Sequence, residues 1–301
     1  MELKTILSIV VTVFFWASAF VGIRASLDDY SPQNLALLRF LVASLIFLVV
    51  ALFKKIRIPE KSDLLRIFLS GFIGIALYNF ALNYGEQRIE AGIASFIVNT
   101  VPIFSALFSM HFLREKFFMR QWIGFIISLC GIILIAYRPE TNFTIGISVF
   151  ILLFAATTQA AMFTLQKTLT KKYTPLECTA YAIWSGTFTL LWFGPGLLDE
   201  ILAASMSSTV TVIYLGIFPA AIAYLTWAYV LSKLSVSVAA TFLYFVPIGA
   251  TLIGWVWLGE IPTLLSIGGG ILVITGVIFV NQKHNMIKRS EKENKIHATS
   301  S

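Results

Sequence analysis

Residues 99–115 read NTVPIFSALFSMHFLRE, and residues 244–260 read YFVPIGATLIGWVWLGE. Shifted by 145 positions, Val101-Pro102-Ile103 falls on Val246-Pro247-Ile248, and Glu115 falls on Glu260. His111 is the one titratable imidazole in two runs, Glu90 to Arg114 and Lys233 to Glu260, that otherwise hold no acidic or basic side chain between their ends. Runs of this kind have the length of a helix that crosses a ~30 Å hydrocarbon core. The same register places Gly71 on Gly216, Tyr84 on Tyr229, Gly124 on Gly269 and Gly131 on Gly276. A shift of 143 pairs Ala17 with Ala160, Phe20 with Phe163 and Pro32 with Pro175. Leucine and isoleucine matches are cheap in an apolar chain, whereas a proline, a glutamate and several glycines held in one register mark an internal repeat.

Composition agrees. Of 301 residues, 58% are hydrophobic and 12% charged, against about 25% charged in soluble domains, and mean hydropathy is +0.85. This excludes a soluble enzyme and a disordered chain. Ten apolar runs can be traced, at 5–24, 33–53, 65–84, 91–112, 120–137, 144–166, 176–193, 209–230, 235–258 and 263–281. Helices are expected because hydrocarbon leaves no partner for open backbone groups, and the short alternating segments of a β-barrel are absent. Lys4 followed by an apolar stretch and Ala17-Ser18-Ala19 has the outline of a signal peptide, but the apolar run continues through Ile23.

The net charge of +7 is spread between the apolar runs, which fits membrane topology better than nucleic-acid binding. With both termini cytoplasmic, 18 Lys and Arg lie on the cytoplasmic side and 3 opposite, with Arg39 inside a span. The expected fold is therefore an all-α membrane protein of ten transmembrane helices. Residues 1–138 form a first five-helix repeat, 139–282 a second, and 283–301 a polar basic cytoplasmic tail. Five is odd, so the second repeat enters the bilayer inverted, an arrangement characteristic of secondary transporters.

Trp16-Ala17-Ser18-Ala19-Phe20, Pro32 followed by Arg39, Val101-Pro102, Leu113-Arg114-Glu115 and Trp122-Ile123-Gly124 with Gly131 resemble the EamA-type drug/metabolite transporters. The second half repeats the pattern at Pro175, Val246-Pro247, Leu258-Gly259-Glu260 and Gly269. Arg114 departs from it, standing where the family has a small residue. The resemblance implies a ten-helix carrier of the inner or plasma membrane for small metabolites, often an amino-acid exporter.

Polar residues deep in a span are costly and so are candidates for function. The repeat pairs Trp16 with Gln159, Asn79 with Tyr224 and Asn99 with Tyr244. These six are expected to line a central cavity, extended by Tyr78, Asn83, Thr100 and Trp227. Interhelical hydrogen bonding is the structural alternative. An aromatic, amide-lined cavity suits a neutral or zwitterionic solute with an apolar part. No carboxylate is found at mid-span.

Arg39, about 9 Å into its helix, reads as lying near the outer surface. It is a candidate contact for a substrate carboxylate, or an interfacial residue. Pro102 and Pro247 weaken their helices and are candidate hinges. Glu115 and Glu260 are expected to meet the positive ends of the helices that follow them. The glycines of the fifth and tenth spans suggest close packing, within the chain or against a second copy. No catalytic constellation, cofactor motif or metal spacing is evident. The expected partners are a small-molecule substrate and the lipid bilayer, with no nucleic acid. An uncoupled facilitator or channel and a multidrug exporter are the alternatives to an amino-acid exporter.

Overall fold

A computed structural model describes residues 1–113, 119–136 and 143–281. The regular structure of these residues is helical. Six helices are long and apolar enough to cross a membrane: Leu3–Ser26, Pro32–Phe53, Lys61–Glu86, Gly146–Leu169, Met206–Lys233 and Val238–Leu258. Shorter apolar helices cover Ala91–Ser105, Trp122–Gly131 and Leu264–Gly276. Arg114, Glu115 and the tail at 283–301 lie outside the described residues.

In finer detail the chain runs through α1 (Leu3–Ser26), α2 (Pro32–Phe53), α3 (Leu64–Gly71), α4 (Tyr78–Glu86), α5 (Ala91–Val98), α6 (Val101–Leu113), α7 (Met119–Ala136) and α8 (Phe143–Leu169). It continues through α9 (Pro175–Leu190), α10 (Leu197–Ala203), α11 (Met206–Leu215), α12 (Ala223–Lys233), α13 (Val236–Thr241), α14 (Phe245–Leu258) and α15 (Leu264–Asn281).

The repeat reappears in the irregularities. A π-helical stretch at Phe72–Leu77 joins α3 to α4, and another at Gly216–Ile222 joins α11 to α12. The two coincide after the shift of 145. A glycine at the start of each, Gly71 just before the first and Gly216 opening the second, is pressed against a backbone carbonyl. A Cβ on Gly71 would sit 2.4 Å from the Ala182 carbonyl, and one on Gly216 2.7 Å from that of Arg39. Pro219, with no N–H to donate, lies inside the second stretch, and π turns of this kind absorb such a missing bond. α5 ends at Asn99 before α6 resumes, and the matching place in the second half holds the 3-10 turn Phe242–Tyr244. Pro102 and Pro247 therefore fall in the first turns of α6 and α14, where a missing N–H costs little.

Two antiparallel pairs hold the halves together. Along α2 and α9, Asn34 lies by Pro195, Ser44 is hydrogen bonded to Thr187 at 2.8 Å, and Arg57, just beyond α2, meets Glu177. Residue 44 shifted by 143 is residue 187, so the pair sits where the two repeats cross. α7 and α15 behave likewise: Ser128 Oγ donates to the Val273 carbonyl at 3.1 Å, a pair related by the shift of 145. Here Gly131 faces the Gly269 carbonyl and Gly276 the Gly124 carbonyl, each too close for a Cβ. These glycines thus serve packing within the chain.

Glu260 departs from expectation. Its Oε2 accepts the Ala91 N–H at 3.0 Å, at the start of α5 and not of the helix that follows it. Gly259 has φ +70°, a left-handed turn that favours glycine, and it swings Glu260 back across α14. Thr263 caps α15 instead, its Oγ1 accepting the Ser266 N–H at 3.1 Å.

Candidate functional site

α1, α2, α4, α8 and α12 converge on a central cavity of about 30 Å³, room for roughly one or two waters. Trp16, Arg39, Tyr78, Asn99, Gln159 and Tyr224 line it, with Phe20, Leu82, Val98 and Phe163 among the apolar remainder. An aromatic wall closes one side. Trp16 lies 5.4 Å from both Tyr224 and Trp227 between ring centroids, and Phe163 lies 4.8 Å from Trp227. Trp16 is fixed by donating its Nε1–H to the Pro219 carbonyl at 3.3 Å, within the second π stretch.

The polar groups are placed unevenly. Asn79 donates to the Ile75 carbonyl at 2.8 Å, while its Oδ1 has no partner. Gln159 Oε1 is likewise buried and unpartnered, and the Tyr224 hydroxyl lies close to both amides. Asn99 donates to the Ser95 carbonyl, Asn83 to that of Pro32 at the start of α2, and Thr100 to that of Ile97. Asn83 and Thr100 thus hold helix breaks and ends beside the cavity. Trp227 backs the aromatic wall. Tyr244 is half-buried next to Leu243, which lines the cavity.

Arg39 is 2% exposed, and its Nε and Nη1 have no hydrogen-bond partner. Its burial differs from the interfacial placement expected from depth along one helix. The reason is packing, since α2 is covered by α4, α9, α11 and the second π stretch. Sequence reasoning also missed Glu86, which is fully buried, with neither carboxylate oxygen partnered. It follows Tyr78 and Leu82 at four-residue spacing, on the face of α4 that meets the cavity. That spacing was the available signal.

At one end of the molecule the segment after α2 is tied to the start of α9. Arg57 donates from Nε and Nη2 to Glu177 at 2.9 and 3.0 Å, which holds the guanidinium more firmly protonated. Glu177 completes a capping box with Thr174. Lys172 reaches Asp63 at 2.7 Å and also pairs with Glu60, and these bonds raise its pKa. At the other end Arg24 lies 3.6 Å from Glu260, whose pKa is raised by burial. Among the described residues no three His, Cys, Asp or Glu side chains group as a metal site.

The EamA-like transporter family model matches this chain twice, over residues 3–137 and 146–282. An uncharacterized transporter of Bacillus subtilis, YdfC, is 43% identical over 91% of this chain and 90% of its own length. A probable terminal-alkyne amino-acid exporter of Streptantibioticus cattleyicolor is 36% identical over 93% of this chain and 94% of its own. A solved crystal structure shares the fold, with TM-score 0.66 at 16% identity over 95% of this chain and 99% of that one. Two repeats, apolar helices and whole-length relatives agree: the chain is a multi-pass membrane protein and belongs to the EamA-like transporter family, and is not an enzyme.

Proposed function

We propose that this protein is a secondary carrier that exports a small zwitterionic metabolite, an amino acid or a close relative of one, by alternating access. The observation that carries this reading is Arg39. A buried guanidinium whose Nε and Nη1 find no acceptor, with only the Phe40 ring 5.3 Å away, is costly, and a planar guanidinium is best matched by a carboxylate. The acceptor oxygens of Asn79 and Gln159, beside the Tyr224 hydroxyl, suit an ammonium group, and the rings of Trp16 and Phe163 suit an apolar side chain. The name of the Streptantibioticus relative supports amino-acid export. Ten spans in two inverted repeats, in the cell membrane with both termini cytoplasmic, complete the proposal, and the antiparallel crossing of α2 with α9 supports the inversion. The cavity is too small for an amino acid in this conformation, which favours an occluded state of a moving carrier. Pro102 and Pro247, each next to a helix break, are the proposed hinges.

The test is binding and counterflow of L-propargylglycine, a terminal-alkyne amino acid, by the purified protein in liposomes. A carrier shows trans-stimulation and an open pore does not. Arg39→Gln is expected to weaken binding about 10- to 100-fold, the cost of a lost charged hydrogen-bond pair. Unchanged binding by that variant would overturn the assignment of Arg39.

A further inference from the structure

Glu86 closes the cavity-facing stripe of α4, roughly one helical turn beyond Leu82. It is fully buried, and neither Oε1 nor Oε2 has a partner. The elements packed against α4 are α8, α2, α1, α5 and the first π stretch. The charged groups acting on Glu86 are Arg39 from α2, Arg24 from α1 and Glu260 beyond α14. Tyr78 acts from α4 itself. Glu90 neighbours Glu260. α8 contributes only Lys167, whose Nζ is spent on the Leu231 and Leu234 carbonyls. α5 and the π stretch carry no titratable side chain. Among the described residues no salt bridge joins Glu86 to Arg39 or Arg24.

An ionised carboxylate buried without a hydrogen bond is far more costly than a neutral carboxyl. An acid buried in a membrane protein marks an ion pathway or proton relay, and Glu86 lies one turn beyond Leu82, which with Tyr78 lines the cavity. Arg39 and Glu86 also lack equivalents in the second repeat, where Ala182 and Leu231 stand at the shifted positions. Neither side chain is needed to build the fold twice.

We propose that Glu86 is the proton-binding group of this carrier. It holds a proton in the occluded state of this structure, and releases it to water when the Arg24–Glu260 end opens. The carboxyl O–H breaks and water becomes hydronium; the carboxylate left behind returns unprotonated and takes a proton from hydronium at the opposite end, so that one proton crosses in each cycle. Solute and proton then share one conformational cycle. This deepens the carrier reading above and rests on it.

Two measurements on the full chain in liposomes separate the claims. The infrared spectrum of the protein without solute, at neutral pH, is expected to contain a protonated-carboxyl band that is lost in Glu86→Gln. No such loss would overturn the proposal whatever the solute. In the second, an L-propargylglycine gradient is applied and proton movement is read with an entrapped pH dye. Wild type is expected to move protons with the solute, and Glu86→Gln to exchange solute for solute yet move none. Proton movement that survives in Glu86→Gln, or is missing from a wild type that performs counterflow, would overturn the role of Glu86 and leave the carrier reading standing. Absent counterflow in wild type would instead count against the carrier reading. Should Glu86→Gln fail to assemble, Glu86→Asp is expected to shift the band and keep proton movement; an unshifted band would overturn the assignment.

Discussion

The clamp between Arg57 and Glu177 and the contact between Glu200 and the start of α2 occupy equivalent places in the two repeats, yet they differ in chemistry. Shifted by 143, Arg57 falls on Glu200, Asn34 on Glu177 and Ser31 on Thr174. At one end Glu177 accepts from the Arg57 backbone and guanidinium and from Thr174. At the other end Glu200 accepts the Ser31 N–H at 3.0 Å and Asn34 Nδ2 at 2.7 Å. Both contacts tie the segment beyond one helix to the first turn of its partner. One is an ion pair reinforced by Lys172, Asp63 and Glu60, and the other is a carboxylate held by neutral donors. A duplicated backbone can thus keep its geometry while its two ends acquire unequal strength, and an alternating carrier needs that freedom if one end is to yield more readily than the other.

The comparison is most exposed to Glu177→Ala. The variant removes the Glu177 half of the capping box and leaves Arg57 its bond to the Lys172 carbonyl. It is expected to cost about 2 kcal/mol, since hydrogen bonds to charged groups are worth about 1.5–3 kcal/mol and the guanidinium is half exposed. Thermal unfolding in detergent would read this as a clear drop in Tm. Glu200→Ala loses two bonds from neutral donors and is expected to cost about 1 kcal/mol. If Glu200→Ala proved the more damaging of the two, the ranking of the ends would be reversed.

The repeat was legible in sequence because proline, glycine and glutamate are rare enough in an apolar chain to fix a register. The pairing of helices was not, because α2, α7, α9 and α15 are apolar around much of their circumference and offer no face to read. The burial of Arg39 was illegible for the same reason: depth along a helix says nothing about which neighbours cover it. Of the expected cavity residues, Trp16, Tyr78, Asn99, Gln159 and Tyr224 line the cavity. Asn79 contributes an open acceptor near Tyr224, whereas Asn83 and Thr100 are turned to backbone carbonyls. Glu86 escaped notice because a hydropathy boundary at residue 84 excludes it, although α4 continues through it with the cavity stripe in phase. The π stretches had no signature beyond Pro219, since the first forms at Phe72–Leu77 without any proline.

The finest test of the unequal ends is ionic strength. Lys172, Arg57 and Glu60 are substantially exposed, and added salt screens exposed charges over a Debye length of about 8 Å at physiological ionic strength. The Glu200 contact uses neutral donors and has no attraction between opposite charges to lose. Raising salt is therefore expected to lower the Tm of the wild type slightly, and to lower it less in Lys172→Met, where part of the network is already gone. The pH dependence has a definite sign. The pKa of Lys172 is raised by Asp63 and Glu60, so its contribution is complete below the ordinary lysine value and is lost only as pH rises through the higher folded value. Salt and not moderate alkali should thus weaken this end. An equal salt response in wild type and Lys172→Met would mean that the charged network adds nothing to the clamp, and that the two ends differ only in the bonds made by Glu177 and Glu200 themselves.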